Sequence, residues 1–406
     1  MTSAQGPSLE TMSYGLAGVS PRNGPVGAKL GEGALLHAAL GADVGYDSNV
    51  FYSQTPISAT VAHVTPAVDL SNGERDGSVP DGVFYEIGAS LTYREYLSGG
   101  DAVRSQRAFN PSVGLLLRTS SRQTLSLLLS DNFSRSEDPP YAPGGPVLIH
   151  DRNVASLELK LAPGGGRIQC VLRYNNVLDL YEGLPYTNSN NMGNEGVLDL
   201  SWRWLPKTAF FMQVAQGAVT YLRPSSTGIP SYPFKAMAGL RGLFTEKLAL
   251  NLGAGYTNAF YASGASNLSG FGNVILVGEI IYNMSLTSKA GLGYRHDFQN
   301  SPLVGNFYNL DAVYGALREF IGGRVATAAY GRFENRRYQG SQFGTLGRID
   351  QVVTTGLTAD YVIQRAFYIG VGYTLTLART NNTDPASSGG TDFTKHQVVA
   401  RLGIVY

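Results

Sequence analysis

The feature that most constrains this chain is an alternation of apolar and polar residues with a period of two, sustained over long runs. In "RIQCVLRYNNVLDL", Ile168, Cys170, Leu172, Tyr174, Leu178 and Leu180 share one face, and Arg167, Gln169, Arg173, Asn175 and Asp179 share the other. "AFYIGVGYTLTLA" sets Phe367, Ile369, Val371, Tyr373, Leu375 and Leu377 against Tyr368, Gly370, Gly372, Thr374 and Thr376. "EGVLDLSWRW" and "SLTSKAGLGYRHDF" repeat the pattern. A period of two belongs to β-strands whose two sides meet different surroundings, and helical spacing is hard to find anywhere in the chain. The runs extend roughly 12–16 residues, well beyond the five or six of an ordinary soluble strand. A tilted strand needs about 9–11 residues to cross a bilayer.

The connections carry a second signal. Tight polar turns fall at Thr119–Arg122, Ala162–Gly166, Leu205–Lys207, Thr245–Lys247, Asn283–Ser285, Ile321–Gly323 and Ile363–Arg365. Longer loops lie between them, among them Ser48–Ile57, Ser98–Val103, Ser136–Pro146, Glu182–Met192 and Asn381–Gly390. Ser71–Asp81 breaks the rule, being long where a short turn is due. Short turns on one side and longer loops on the other are the asymmetry of an outer-membrane barrel. In lipid every backbone N–H and C=O must be paired internally, so such a sheet closes on itself. The expected fold is therefore all-β: a transmembrane antiparallel up-and-down β-barrel of about eighteen strands, an even number as bacterial single-chain barrels have. Residues 33–406 form it, and residues 1–32, rich in Gly, Pro and Ser, form a flexible periplasmic lead.

Composition agrees. Only 15% of the 406 residues are charged, against about 25% in a typical soluble domain. The net charge of +1 suggests no nucleic-acid partner. One Cys and five His leave little for a metal site, and no cofactor is expected. No apolar run is long enough for a membrane-crossing helix. The opening "MTSAQGPSLETMSYG" has neither a basic nor an apolar signal region, so the expectation is a mature chain from which a signal peptide has been removed.

Charged residues on the polar parity are the candidates for the wall of a pore: Arg94, Arg173, Arg203, Arg241, Arg295, Arg332 and Arg401, with Glu86, Asp179, Asp199, Glu279, Asp297 and Asp360. Lys235, Lys289 and Lys395 share that parity. The signs nearly balance, which argues against a strong ion filter. Two segments, "FFMQVAQGAVTYL" and "NLDAVYGALREF", alternate poorly, as bulges or lumen-facing aliphatics would make them do. Outward aromatics are expected at the rims, with Tyr46, Tyr93, Phe133, Phe260, Phe298 and Phe333 outside and Trp202 and Trp204 inside. No enzyme site is found. "APGGGR" lacks the Lys-Ser/Thr of a phosphate loop and reads as a tight turn. His296 and Asp297 are strand neighbours facing opposite ways, so they cannot pair.

"GYDSNVFYS" (Gly45–Ser53) is the densest local motif. Asp47 and Asn49 suit calcium by residue type, but the spacing of a calcium loop is absent, and a strand-ending turn fits better. Tyr46, Asp47, Asn49, Val50 and Phe51 resemble the Tyr-Asp-x-Asn-(Val/Ile)-Phe string that ends the first strand in a family of outer-membrane β-barrels linked to exopolysaccharide export. The resemblance covers under about twenty residues of the chain. It implies a polysaccharide secretion porin working with a periplasmic polysaccharide export protein and a polysaccharide chain as cargo. A passive diffusion porin for small solutes such as sugars is the alternative. The last run, "VVARLGIVY", puts Leu402, Ile404 and Tyr406 on the lipid side. It resembles the C-terminal signal read by the barrel assembly machinery, which implies a bacterial outer-membrane location with lipid as the surrounding partner.

Overall fold

The computed structural model describes residues 27–31, 33–73, 82–119, 124–138, 148–182, 186–223, 229–261, 272–300, 307–338, 348–364, 366–381 and 392–406. A short strand β1 (Ala28–Leu30) precedes β2 (Ala34–Asp47), β3 (Ala59–Ser71), β4 (Val83–Tyr96), β5 (Ala108–Thr119), β6 (Leu125–Asp138) and β7 (Leu148–Leu161). Then follow β8 (Ile168–Tyr181), β9 (Asn191–Leu205), β10 (Thr208–Tyr221), β11 (Phe234–Leu243), β12 (Leu248–Asn258) and β13 (Gly272–Asn283). The chain finishes with β14 (Ser288–Asn300), β15 (Phe307–Ile321), β16 (Val325–Tyr338), β17 (Ile349–Gln364), β18 (Phe367–Thr380) and β19 (Phe393–Val405). One helical turn, α1 (Asp101–Arg104), sits between β4 and β5.

Strands β2 to β19 form an 18-stranded closed antiparallel up-and-down barrel. Each pairs with the next in sequence, and β19 closes the ring on β2 with Gln397 opposite Asp47 and Val405 opposite Ala39. Below the end of β19, the free edge of β2 is taken by β1, with Ala28 opposite Leu36 and Leu30 opposite Ala34. Part of the 1–32 segment thus belongs to the sheet.

The alternation sorts the two faces as expected. Leu172, Leu292, Leu357 and Val371 are exposed on the outer face, where they match hydrocarbon. Trp202 and Trp204 flank Phe210 at centroid distances of 6.0 and 5.5 Å beside the two-residue turn between β9 and β10. On the other rim Tyr93 packs on Phe109 at 4.7 Å. Turns and loops alternate around the ring. The tightest inner turns include 206–207 and 322–324, the latter with Gly322 and Gly323 at φ +58° and +70°. That left-handed geometry suits the twist of a tight hairpin and favours glycine. "APGGGR" is likewise a turn, Gly164–Gly166 forming a single 3₁₀ turn. The Ser71–Asp81 and Ser136–Pro146 connections lie mostly outside the described residues.

The two poorly alternating segments are regular strands with apolar inner faces. In β15, Tyr308, Leu310, Ala312 and Tyr314 face inward and are buried, while Asp311 faces outward beside His296. In β10, Phe211 and Ala215 face inward and Gln216 outward. Lumen-facing apolar side chains explain the lost pattern, and the one register shift of β10, at Thr208–Ala209, lies before the poorly alternating stretch.

Inward contacts skip strands. Asp360, Gly370 and Arg401 occupy one rung across β17, β18 and β19. Arg401 Nη2 reaches Asp360 Oδ2 at 2.6 Å over the missing side chain of Gly370. Glu279, Gly293 and Tyr314 repeat this across β13, β14 and β15, with the Tyr314 hydroxyl donating to Glu279 at 2.8 Å. Strands two apart are separated by about 9–10 Å, so only a concave face lets such side chains converge.

A methyl group on Gly293 would overlap the Tyr314 ring, whereas one on Gly331 meets nothing nearer than 3.9 Å. Gly293→Ala is expected to cost about 1–3 kcal/mol by overpacking, and Gly331→Ala little. The midpoint temperature at which the folded band is lost on semi-native gels checks this.

Candidate functional site

The candidate site is the inner wall. By register, all thirteen residues read from parity lie on the face opposite the exposed aliphatics. Glu86 and Arg94 lie on β4, Arg173 and Asp179 on β8, Asp199 and Arg203 on β9, and Arg241 on β11. Glu279 lies on β13, Arg295 and Asp297 on β14, Arg332 on β16, Asp360 on β17 and Arg401 on β19.

The fold brings some of these together. Arg241 Nη2 lies 2.6 Å from Asp199 Oδ1, skipping β10, and Arg401 meets Asp360 as above. Others take partners the parity reading did not join to them. Arg173 pairs with Glu158 at 2.6 Å, Asp297 with Lys235 at 2.8 Å, and Asp179 with His150 Nε2 at 2.7 Å. Arg203 donates to the Gly166 carbonyl at 2.7 Å and Arg94 to that of Gln106 at 2.6 Å. These last two tie the wall to a turn at one rim and a loop at the other.

Arg332 belongs to a denser group whose other charges, Glu334, Arg336, Arg348 and Asp350, parity did not single out. Arg332 and Arg336 both bind Glu334, at 2.5 Å each, and Arg348 binds Asp350 at 2.6 Å. The three guanidinium groups stand over the rings of Tyr314, Tyr308 and Tyr338 at 5.6, 5.6 and 4.7 Å. Cations over ring faces gain electrostatically, more so when desolvated. The result is a ladder of Arg and Tyr up one side of the inner wall. The signal was present in "GRFENRRY", where Arg332, Glu334 and Arg336 recur at every second residue.

At the outer mouth the first two loops fold over the inner face. Val50 from the first loop and Val103 from α1 pack with Ala59, Val61 and Tyr96 as a buried cluster. Beyond β12, Tyr261 packs on Ala259, and its burial pushes the phenol above its ordinary range.

The "GYDSNVFYS" motif is a clasp on the barrel seam. Asp47 Oδ1 accepts from the Asn49 amide at 2.9 Å, and Asp47 Oδ2 lies 2.8 Å from Lys395 Nζ on β19. Asn49 Nδ2 donates to the carbonyls of Ser53 and Thr394 at 2.8 and 3.2 Å. Lys395 Nζ also sits 3.8 Å from the Tyr52 ring centroid, and Tyr52 meets Phe393 edge-on at 5.3 Å. The strand-ending turn is thus what forms, with Asp47 already neutralised by a lysine. At the other end of the seam, the Tyr406 amide donates to the Ala38 carbonyl at 2.8 Å. Leu402, Ile404 and Tyr406 are exposed on the outer face. His296 faces outward and pairs with Asp311 at 2.7 Å, not with Asp297.

No family model matches the chain, and no curated protein matches it. Solved structures do. The outer membrane protein OpdK of Pseudomonas aeruginosa aligns with a TM-score of 0.50 at 12% identity, covering 91% of this chain and 99% of that one. OccAB3 of Acinetobacter baumannii gives 0.49 at 10%, with 91% and 99% covered. The alcaligin outer-membrane receptor FauA of Bordetella pertussis gives 0.41 at 15%, with 93% and 76% covered. The likeness to OpdK is one of fold. With the lipid-matching outer face and the aromatic rims, it makes this chain an integral β-barrel of the bacterial outer membrane.

Asp47 and Lys395 are each only 4% exposed at the side chain. Lys395→Met leaves a buried carboxylate without its cation and is expected to cost about 3–5 kcal/mol. Adding Asp47→Asn should recover most of that loss. Urea unfolding in detergent, read by tryptophan fluorescence, checks both.

Proposed function

We propose that this barrel is a passive diffusion channel for small hydrophilic solutes, sugars among them. The observation that supports it most is the inner wall. It carries many charges of both signs, and opposite charges meet on it, across strands at Arg173–Glu158, Lys235–Asp297, Arg241–Asp199 and Arg401–Asp360 and along one strand at Arg332–Glu334. A closed barrel of 16–18 strands encloses an aqueous channel. A wall whose charges cancel locally keeps that channel wet without strongly selecting one ionic sign.

In this reading the thirteen inner-wall residues line the pore. The Arg–Tyr ladder and the two inward-packed outer loops narrow it. Arg152, half-exposed on the inner face and 3.4 Å from Asp179, is among the side chains a passing solute meets most directly. The barrel performs no chemistry. Leu402, Ile404 and Tyr406 form the strand that the assembly machinery recognises.

Export of a polysaccharide, with a periplasmic export protein as partner, is the second reading, favoured by the Tyr46–Phe51 string. Its polar side chains are spent on the seam, so the string speaks for how the barrel closes more than for what passes through it.

Planar-bilayer conductance and liposome swelling with sugars of increasing size test the proposal. Stable ohmic conductance and faster uptake of small sugars, with normal surface polysaccharide in a deletion strain, are expected. Absence of conductance, or loss of the polysaccharide on deletion, overturns it. Asp199→Asn leaves the Arg241 charge uncompensated on the wall. It should move the reversal potential in a salt gradient toward anion preference.

A further inference from the structure

The outer face is not uniformly apolar. On β11, β12 and β14 it presents Leu240, Leu252 and Leu292, as lipid requires. From β6 to β10 a polar rung crosses it. Asp131 stands opposite Ala155, Ala155 opposite Asn176, Asn176 opposite Asn194, and Asn194 opposite Ala218. Leu129 and Leu157, one outward position nearer the inner rim, are exposed and set the parity. Asn153 and Gln216 flank the rung on the same face.

Asp131 is the seventh residue of the fourteen in β6, so it sits far from either rim. Its Oδ1 is buried and has no hydrogen-bond partner among the described residues. Asn176 Nδ2 donates to Asn194 Oδ1 at 2.9 Å, and the Tyr174 hydroxyl shares that acceptor at 2.6 Å. Acyl chains can offer none of these groups a hydrogen bond, and an ionisable side chain at that depth is costly unless something pairs with it. The rung also contains two alanines, and Gly196 lies exposed beside it. Small residues let a second backbone approach, and polar side chains then bond across the contact.

We infer that this face of β6–β10 is an intramembrane interface with a second copy of this chain. Side-chain amides are donor and acceptor at once, so the face complements itself, as Asn176 and Asn194 already do within one copy. A two-fold arrangement brings each patch against its own image. It sets the side-chain amides of one copy against the Asp131 carboxylate of the other with no need of a separate partner.

Cross-linking in native outer membranes tests this. In a Cys170→Ser background, Asn194→Cys places a thiol in the patch, and Thr355→Cys places one on the outer face of β17, outside it. A short bismaleimide should give a species of twice the chain mass from Asn194→Cys and not from Thr355→Cys. Asp131→Leu added to Asn194→Cys should lower that yield while the folded band persists. No such species, equal yields from the two positions, or a product whose mass includes a different protein would each overturn the inference. The comparison of the two cysteine positions decides it even if the Asp131 variant fails to assemble.

Discussion

Everything in this structure depends on one backbone requirement: in lipid, no strand can have a free edge. Each of the eighteen strands must donate and accept on both sides, so the first and last must find each other. The ring closes where β19 meets β2, residues some 350 positions apart in sequence. Such a pairing has a high loop-closure cost and is the slowest kind of contact to form. The seam is accordingly where the chain concentrates specific side-chain chemistry. Asp47, Asn49, Tyr52 and Lys395 lock one end, and the Ala38–Tyr406 backbone pair with the β1 hairpin locks the other.

The inner wall follows from closure as well. Bending the sheet makes one face concave, and concavity lets side chains two strands apart meet. Glycine at the intervening position makes that meeting direct. Gly370 lies between Asp360 and Arg401, and Gly293 between Glu279 and Tyr314. At Gly370 the missing side chain lets opposite charges neutralise each other across a strand, and at Gly293 it lets a hydroxyl reach a carboxylate. The same wall becomes nearly apolar where β15 packs Tyr308, Leu310 and Tyr314 beneath the arginines of β16.

The barrel, its approximate strand number and the shared face of the thirteen wall charges were legible from alternation together with the turn pattern, because a closed membrane sheet imposes one rule on every strand. Parity assigns a residue to a face and is silent on its partner. Arg241 and Asp199 carried no sequence sign of meeting across β10, and Glu158 was not marked as the partner of Arg173. Alternation failed on β10 and β15, where the inner face is itself apolar and the contrast between faces vanishes. The "GYDSNVFYS" motif was conspicuous from the start. Its role was not readable, because that role depends on Thr394 and Lys395 at the far end of the chain.

The Asp47–Lys395 pair has a consequence for how a finished molecule differs from an unfinished one. Each charge is buried only when the other arrives, so a barrel missing its last strand holds a bare carboxylate at its outer rim and an open edge beside it. Both defects vanish in a single event. The clasp thereby works as a check on completeness: a chain interrupted after β18 and before residue 395 can form seventeen strands and still not become a sealed wall.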